Sequence, residues 1–170
     1  MSKTHVLAFL AAVILVLLPF YFRDELANNL KSLGILGLFL INFFGNATVF
    51  LPAPAIASVV AAGSIYNPLI VTLVSSLGGT AGEMVGFVLG HSGKKIFVKK
   101  HHFLFLILMD LFKGYGTAII FVVALIPNPF FDVIGILAGF LHYSPKKFFI
   151  VTFLGRIIRN LVLSYFGSKI

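Results

Sequence analysis

The chain contains no cysteine and few charged side chains. Only 11% of its 170 residues are charged, and 5 residues are acidic. Without cysteine there is no disulfide framework and no thiolate chemistry. The motifs of zinc metalloproteases, serine hydrolases and P-loop proteins are also missing, as is the His or paired-acid motif expected of a membrane phosphatase. We therefore expect a protein that is not an enzyme, with no metal site and no cofactor.

Apolar residues dominate instead. Hydrophobic types make up 59% of the chain, which includes 20 Phe, and this composition predicts an integral membrane protein. The net charge of +8 comes from basic residues that cluster in short segments beside apolar stretches. That pattern favours the positive-inside rule and contact with anionic lipid headgroups over nucleic-acid binding. The expected partners are anionic or phosphate-headed membrane lipids, with a homo-oligomer as a further option.

Two Pro-x-Pro breaks interrupt the apolar sequence, and matching residues follow each of them. The first break is Pro52-Ala-Pro54 and the second is Pro127-Asn-Pro129. The next proline precedes a Leu-Gly pair by 10 residues in both copies (68 to 78, 145 to 155), and a further glycine follows after 12 (78 to 90, 155 to 167). A repeat of interrupted apolar segments is typical of transporters with a site near the membrane midplane.

Residues 1–170 are predicted to form one all-α polytopic membrane domain. Residues 6–22 form a retained N-terminal anchor, because no small-x-small cleavage site follows them. Repeat 1 covers 33–90 and repeat 2 covers 103–167. In each, a re-entrant helical hairpin, with its turn at 52–54 or 127–129, precedes a spanning helix. A straight helix over 33–63 would be roughly 46 Å long, well beyond a hydrocarbon core of roughly 30 Å, and proline disrupts a helix interior.

The lysines predict how the segments are oriented. Most of them lie in 94–113 and at 146–147, so these segments are expected on the cytoplasmic side. A multi-pass protein of the cell membrane with a cytoplasmic N-terminus places both lysine-rich segments on that side. The two repeats then have opposite orientations in the membrane. Residues 103–112 are too short to span the membrane and are flanked by two His and Lys113. They predict an interfacial helix.

Charged residues inside the predicted spanning helices are the main candidates for function. Glu83 is the only acid well inside such a helix, and Arg156, Arg159 and Asn160 lie in the equivalent helix of repeat 2. A charge at the bilayer centre costs roughly 2.5–3.5 kcal/mol on the insertion scale and so requires a partner or water. Three interpretations remain open: a buried ion pair that locks the halves, an anionic headgroup site with Glu83 orienting the arginines or exchanging a proton, or a position at the membrane interface.

Four glycines, spaced four residues apart, form a stripe on the predicted helix that contains Glu83. It allows close backbone packing, and packing alone is enough to explain it. The stripe consists of Gly78, Gly82, Gly86 and Gly90.

The second break carries more polar groups than the first. Asp132 follows it by three residues, either as a helix cap or as a protonatable gate. Asn128 lies in the break itself and is a further substrate-binding candidate, whereas Asn46 before the first break is a weaker one. Any site is therefore expected to be asymmetric and to depend on the second hairpin.

Together these segments resemble the DedA family, also called the VTT-domain or SNARE-associated Golgi protein family. The resemblance covers roughly 33–167 and depends on the two proline breaks with their following Ala-Gly pairs, the glycine stripe with its acid, and the closing segment 153–159. It implies two inverted hairpins and a role in moving phospholipids or polyprenyl-phosphate carriers across a bilayer. The chain departs from many bacterial members because it lacks arginines around the second break and an acid after the first. It is identified as a divergent member.

The leading hypothesis is a lipid translocase, either a scramblase or a proton-linked flippase, for a phosphate-headed lipid. Arg156 and Arg159 would hold the phosphate, and Glu83 and Asp132 would respond to protonation. Two alternatives belong to other classes. One is an ion- or proton-coupled transporter of a small solute, and the other is a structural membrane module without a transport cycle.

Overall fold

A computed structural model describes residues 23–47, 52–92, 102–127 and 131–170. These residues form helices joined by short connections, and no strand occurs among them. The anchor predicted at 6–22 lies outside the described residues. The helices in chain order are α1 Arg23–Ala47, α2 Pro52–Gly63, α3 Pro68–Ser92, α4 His102–Leu125, α5 Phe131–Phe140 and α6 Pro145–Gly167.

Two of the described helices, α3 and α6, are long and apolar enough to cross a membrane. They contain 25 and 23 residues, which corresponds to about 37 and 34 Å of helix. They correspond to the spanning helix predicted at the end of each repeat. By contrast, α2 and α5 have 12 and 10 residues and are too short to cross a hydrocarbon core of about 30 Å.

Proline and glycine determine where the helices begin and bend. Pro52 and Pro54 lie in the first turn of α2, because the first turn of a helix tolerates a missing N–H group. The residues predicted as a hairpin turn at 52–54 are therefore already helical. After α4 ends at Leu125, Pro127 is non-helical, whereas Asn128 and Pro129 lie outside the described residues. Gly34 adopts φ 61° and ψ −149° and kinks α1, a conformation that favours glycine.

Residues 103–112 do not form a separate interfacial helix. They are the first part of α4, which continues through Gly114 and Gly116 to Leu125. A glycine inside a helix costs only about 1 kcal/mol relative to Ala, and this part of α4 contains no proline, so nothing forces a break. The helix that precedes the second proline break therefore includes the segment predicted to lie at the membrane interface.

Helices α3 and α6 form the centre of the domain and pack against each other. In addition, α3 packs on α1 and α5, and α6 packs on α4 and α2. The glycine stripe lies in these contacts: Gly78 and Gly82 lie against the backbone of α1, and Gly90 lies against that of α5. Gly86 has more space, with Ile136 of α5 nearby.

Four glycines bring the short helices onto the long ones in a matched pattern. On α2, Gly63 lies against the backbone of Ser164 in α6, and Gly167 of α6 lies against the backbone of Val60. The other pair joins α5 to α3, with Gly139 against the backbone of Phe87 and Gly90 against that of Ile136. Each short helix therefore docks on the long helix of the other repeat.

The domain has two distinct ends. At the Pro68 end, where α3 begins and α2 and α6 finish, an apolar cluster includes Leu38, Val59 and Val71. At the Ser92 end, where α3 and α5 finish and α6 begins, a larger cluster includes Phe87, Phe112 and Phe148. Polar side chains lie between the two clusters, and the candidate site is built there.

Candidate functional site

A buried ion pair joins the two central helices. Arg156 Nη2 of α6 donates a hydrogen bond to Glu83 Oε1 of α3 at 2.5 Å. The two side chains are 1% and 2% exposed. Breaking a buried pair by removing one partner leaves an uncompensated charge, so this contact holds α3 against α6.

The Arg156 guanidinium fits against Gly79 and Phe131. A Cβ atom added at Gly79 would overlap Nη1 of the arginine, so the missing side chain on α3 provides the space for it. The Phe131 ring at the start of α5 lies 5.4 Å from the guanidinium carbon, within cation–π range. These contacts and the ion pair fix the direction of the guanidinium.

Two nitrogens of Arg156 are left without a hydrogen-bond partner. Among the residues that the structure describes, neither Nε nor Nη1 has an acceptor, although both are buried. Buried N–H groups almost always find a partner, and leaving one unsatisfied costs about 1–3 kcal/mol or more for a charged group. An arginine with free N–H groups in a buried site is suited to an anionic ligand.

Arg159 lies one turn further along α6 and is only partly buried. Its Nε donates to Asn160 Oδ1 at 3.1 Å. The Asn160 amide then donates to Ser75 Oγ at 3.0 Å and to Ser76 Oγ at 3.1 Å on α3. Asn160 therefore positions Arg159, because its carboxamide is fixed on both sides.

Asp132 reaches the site from the first turn of α5. Its side chain is 8% exposed, and it lies within hydrogen-bonding range of the Glu83 carboxyl group. The charge of Arg156 acts on both acids. Asp132 thus belongs to the same charged cluster as the ion pair, in addition to its position at the start of a helix.

A narrow cleft opens beside this cluster, with room for about one water molecule. Five helices contribute to its walls. The lining residues are Asn46, Ala55, Ile56, Glu83, Phe131, Asp132, Arg156 and Arg159.

The cleft brings together four of the main candidates and the weaker candidate Asn46, and it adds Ala55, Ile56 and Phe131. Asn128 lies outside the described residues. Asn46 lies in the wall of the cleft, and its amide donates to the Asn42 carbonyl at 2.7 Å. In the sequence, its position just before the first break made it a candidate. Nothing in the sequence distinguished Phe131 as a site residue, since it is one of 20 Phe in the chain. No group of three metal-ligating side chains occurs within the described part of the chain.

Comparison with known protein families gives a match that covers the candidate site. A family model described as the VTT domain matches residues 51–169, well over half of the chain, and this range includes Glu83, Asp132, Arg156 and Arg159. Neither the curated proteins nor the solved structures yielded a match.

Proposed function

The chain belongs to the VTT-domain family of membrane proteins, as its resemblance to DedA proteins predicted, and from this premise we propose that it moves a phosphate-headed lipid between the leaflets of the cell membrane. The lipid would be a polyprenyl phosphate or a phospholipid, and the protein a scramblase or a proton-linked flippase. We further propose a multi-pass topology with a cytoplasmic N-terminus, because the lysine-rich segments then face the cytoplasm.

The packing of the short helices supports an inverted repeat of two re-entrant hairpins. The glycine contacts are exchanged between repeats: α2 docks on α6 in the way that α5 docks on α3. Residues beside both breaks, Ile56 and Asp132, line the same cleft. Two hairpins that enter from opposite ends and meet near the midplane account for both observations, and such hairpins form the central sites of known transporter folds.

The observation that carries the proposal is that two nitrogens of buried Arg156, Nε and Nη1, have no acceptor among the described residues. Arg159 stands beside the same cleft with a further set of guanidinium donors. A phosphate offers several charged oxygens, and guanidinium groups bind it strongly and directionally. A phosphate group seated at the cleft would satisfy the free donors, and its acyl or prenyl chain could remain in the surrounding bilayer.

The charge balance of the cluster supports coupling to protons. Glu83 and Asp132 formally cancel Arg156 and Arg159, so an anion that enters the cleft makes the cluster negative. Binding then becomes easier when one of the two neighbouring carboxyl groups takes up a proton, since like charges close together disfavour ionisation. A proton-linked flippase would use this exchange.

One observation favours a second candidate. The cleft has room for about one water molecule, which suits a small ion or solute better than a headgroup unless the helices separate. An ion- or proton-coupled solute transporter built on the same acids predicts dissipation of a pH gradient without lipid movement.

Reconstitution in liposomes tests the proposal and separates it from this alternative. The vesicles would contain an acyl-labelled fluorescent phospholipid, and an impermeant quencher would report the fraction exposed outside. We expect vesicles with the protein to lose more than the outer-leaflet half of the signal, and protein-free vesicles to lose only that half. A parallel assay would follow a radiolabelled polyprenyl phosphate.

The folded control is the charge-neutral double variant Glu83→Gln, Arg156→Met. It removes both charges of the ion pair together, and the charges of Asp132 and Arg159 that remain in the cluster still balance each other, so the variant should remain folded and lose lipid movement. Wild-type vesicles that move neither lipid, or a double variant that moves lipid at the wild-type rate, would contradict the proposal. A pH-gradient leak without lipid movement would favour the solute transporter.

A further inference from the structure

The contact between α3 and α6 is polar on one side of the charged cluster and apolar on the other. From the cluster toward the Pro68 end, a line of small polar side chains fills the contact, and each of them is 0–2% exposed. We call this line the polar seam. It consists of Thr72, Ser75, Ser76, Asn160 and Ser164.

Hydrogen bonds connect the seam to the site and to the end of the domain. Asn160 accepts from Arg159 and donates to both serines. Nearer the Pro68 end, the hydroxyls of Thr72 and Ser164 lie 3.0 Å apart, and both donate to the Pro68 carbonyl, at 2.7 and 3.1 Å. Polar groups thus accompany α3 over about 22 Å, from Glu83 to its first residue.

The opposite side of the cluster is closed by aromatic rings. Phe87 of α3 and Phe148 of α6 have ring centroids 4.8 Å apart, and Phe131 stacks on Phe148 at 6.3 Å. Among the buried residues described on this side, Thr152 is the one polar side chain beyond the cluster. Separating these rings would expose a large apolar area to water.

We propose that the polar seam is the aqueous access route to the arginine site, and that water reaches the site from the Pro68 end and not from the Ser92 end. When α3 and α6 part slightly along the seam, water replaces hydrogen bonds of similar strength, so opening there costs little. Opening on the aromatic side has no such compensation. With the orientation proposed above, the Pro68 end faces outward, and Glu83 and Asp132 would exchange protons with the outer solution. This proton exchange rests on the proposed function, whereas the water route itself does not.

Cysteine labelling tests the route, because the chain has no cysteine of its own. Ser76→Cys and Ser164→Cys replace buried seam hydroxyls by a thiol of similar size, and Ala138→Cys is the matched control at a buried position near the Ser92 end. Exposed Lys169→Cys and Ser92→Cys mark the two membrane faces. Each variant would be treated in sealed vesicles of both orientations with a small, charged, membrane-impermeant thiol reagent.

We expect both seam cysteines to react from the face that labels Lys169→Cys, at least tenfold faster than Ala138→Cys, because such reagents require a hydrated thiolate. Labelling no faster than the control, or from the face that labels Ser92→Cys, would overturn the route, whether or not lipid moves in the transport assay. Polar contacts that only bind the helices together would give this negative result.

A cysteine pair gives a second measurement if a single seam variant folds poorly. The short distance between the Thr72 and Ser164 hydroxyls makes Thr72→Cys, Ser164→Cys a suitable pair for oxidation across the seam. We expect the oxidised pair to protect a cysteine at Arg159, introduced as Arg159→Cys, from the reagent, and reduction to restore its labelling. Equal labelling of that cysteine in the oxidised and reduced protein would also overturn the route.

Discussion

Arg156 is held by three kinds of contact, two from α3 and one from α5. Glu83 accepts its hydrogen bond, Gly79 leaves space for it and the Phe131 ring covers it. Its remaining N–H groups are directed by these contacts. The stability of the pair and the availability of the free donors can therefore be tested separately.

Removing one charge of the ion pair should destabilise the protein more than removing both. Glu83→Gln leaves Arg156 buried without its closest counter-charge, and we expect the free energy of unfolding to fall by about 3 kcal/mol. Adding Arg156→Met should recover most of that loss, because the arginine charge that had lost its partner is then removed as well. Unfolding in detergent micelles would measure both variants. A double variant that is as unstable as Glu83→Gln would show that charge imbalance is not the cause.

A methyl group at position 79 should damage the site while leaving the fold intact. The Cβ of Gly79→Ala would displace the far end of the Arg156 side chain rather than any backbone atom. We expect lipid movement to fall at least about tenfold, since a hydrogen bond to a charged group is worth about 1.5–3 kcal/mol. Gly86→Ala is the control on the same helix, because its Cβ would meet Ile136 at an ordinary 3.7 Å.

Several site residues could be predicted from their chemistry, but their pairing could not. Glu83 and Arg156 stood out because a charge inside an apolar helix needs a partner. The register that brings Arg156, rather than Arg159, to Glu83 depends on the space at Gly79 and on Phe131. Neither a glycine nor one more Phe signals such a role in a sequence of this composition.

At the scale of elements, glycines control how closely the short helices approach the long ones. A Cβ at Gly139 would overlap the Phe87 carbonyl oxygen, and a backbone atom cannot move aside as a side chain can. Gly114 of α4 has no neighbouring atom within 4 Å of such a Cβ. The two positions form a matched pair for substitution.

We expect Gly139→Ala to lower the unfolding free energy by about 1–3 kcal/mol or more through overpacking. Gly114→Ala should be neutral or stabilising by up to about 1 kcal/mol, because alanine has the higher helix propensity. Thermal unfolding of both variants in the same detergent measures the difference. Equal effects at the two positions would contradict the close approach of α5 to α3.

The elements themselves could be predicted where the sequence is uninterrupted. Long apolar segments without proline predicted α3 and α6, and prolines marked where α2 begins and α4 ends. Helix α4 was divided wrongly, because Lys113, Gly114 and Gly116 resemble a connection. A helix passes through single glycines and charges when nothing in its backbone forbids it, and local composition does not reveal this.

At the scale of the whole molecule, the domain combines a symmetric frame with an asymmetric centre. The glycine contacts are exchanged between the two repeats, but the charges are not: Glu83 corresponds to Asn160, and Arg156 corresponds to Gly79, in the register that aligns Gly78 with Gly155. The arginine of one repeat therefore occupies the space left by the glycine of the other. The matched glycine spacing of the sequence corresponds to these exchanged contacts, whereas the dependence of the site on the second break stays a prediction.

The central claim is that the arginines of this asymmetric site bind the phosphate of a lipid as it crosses the membrane. The rate of lipid movement in liposomes, compared between Arg159→Gln and Lys169→Gln, tests it most directly. Both variants lose one positive charge, but Arg159 lines the cleft, whereas Lys169 is exposed beside Tyr165 at the Pro68 end. We predict at least about a tenfold lower rate for Arg159→Gln and a wild-type rate for Lys169→Gln; equal rates in the two variants would contradict the claim.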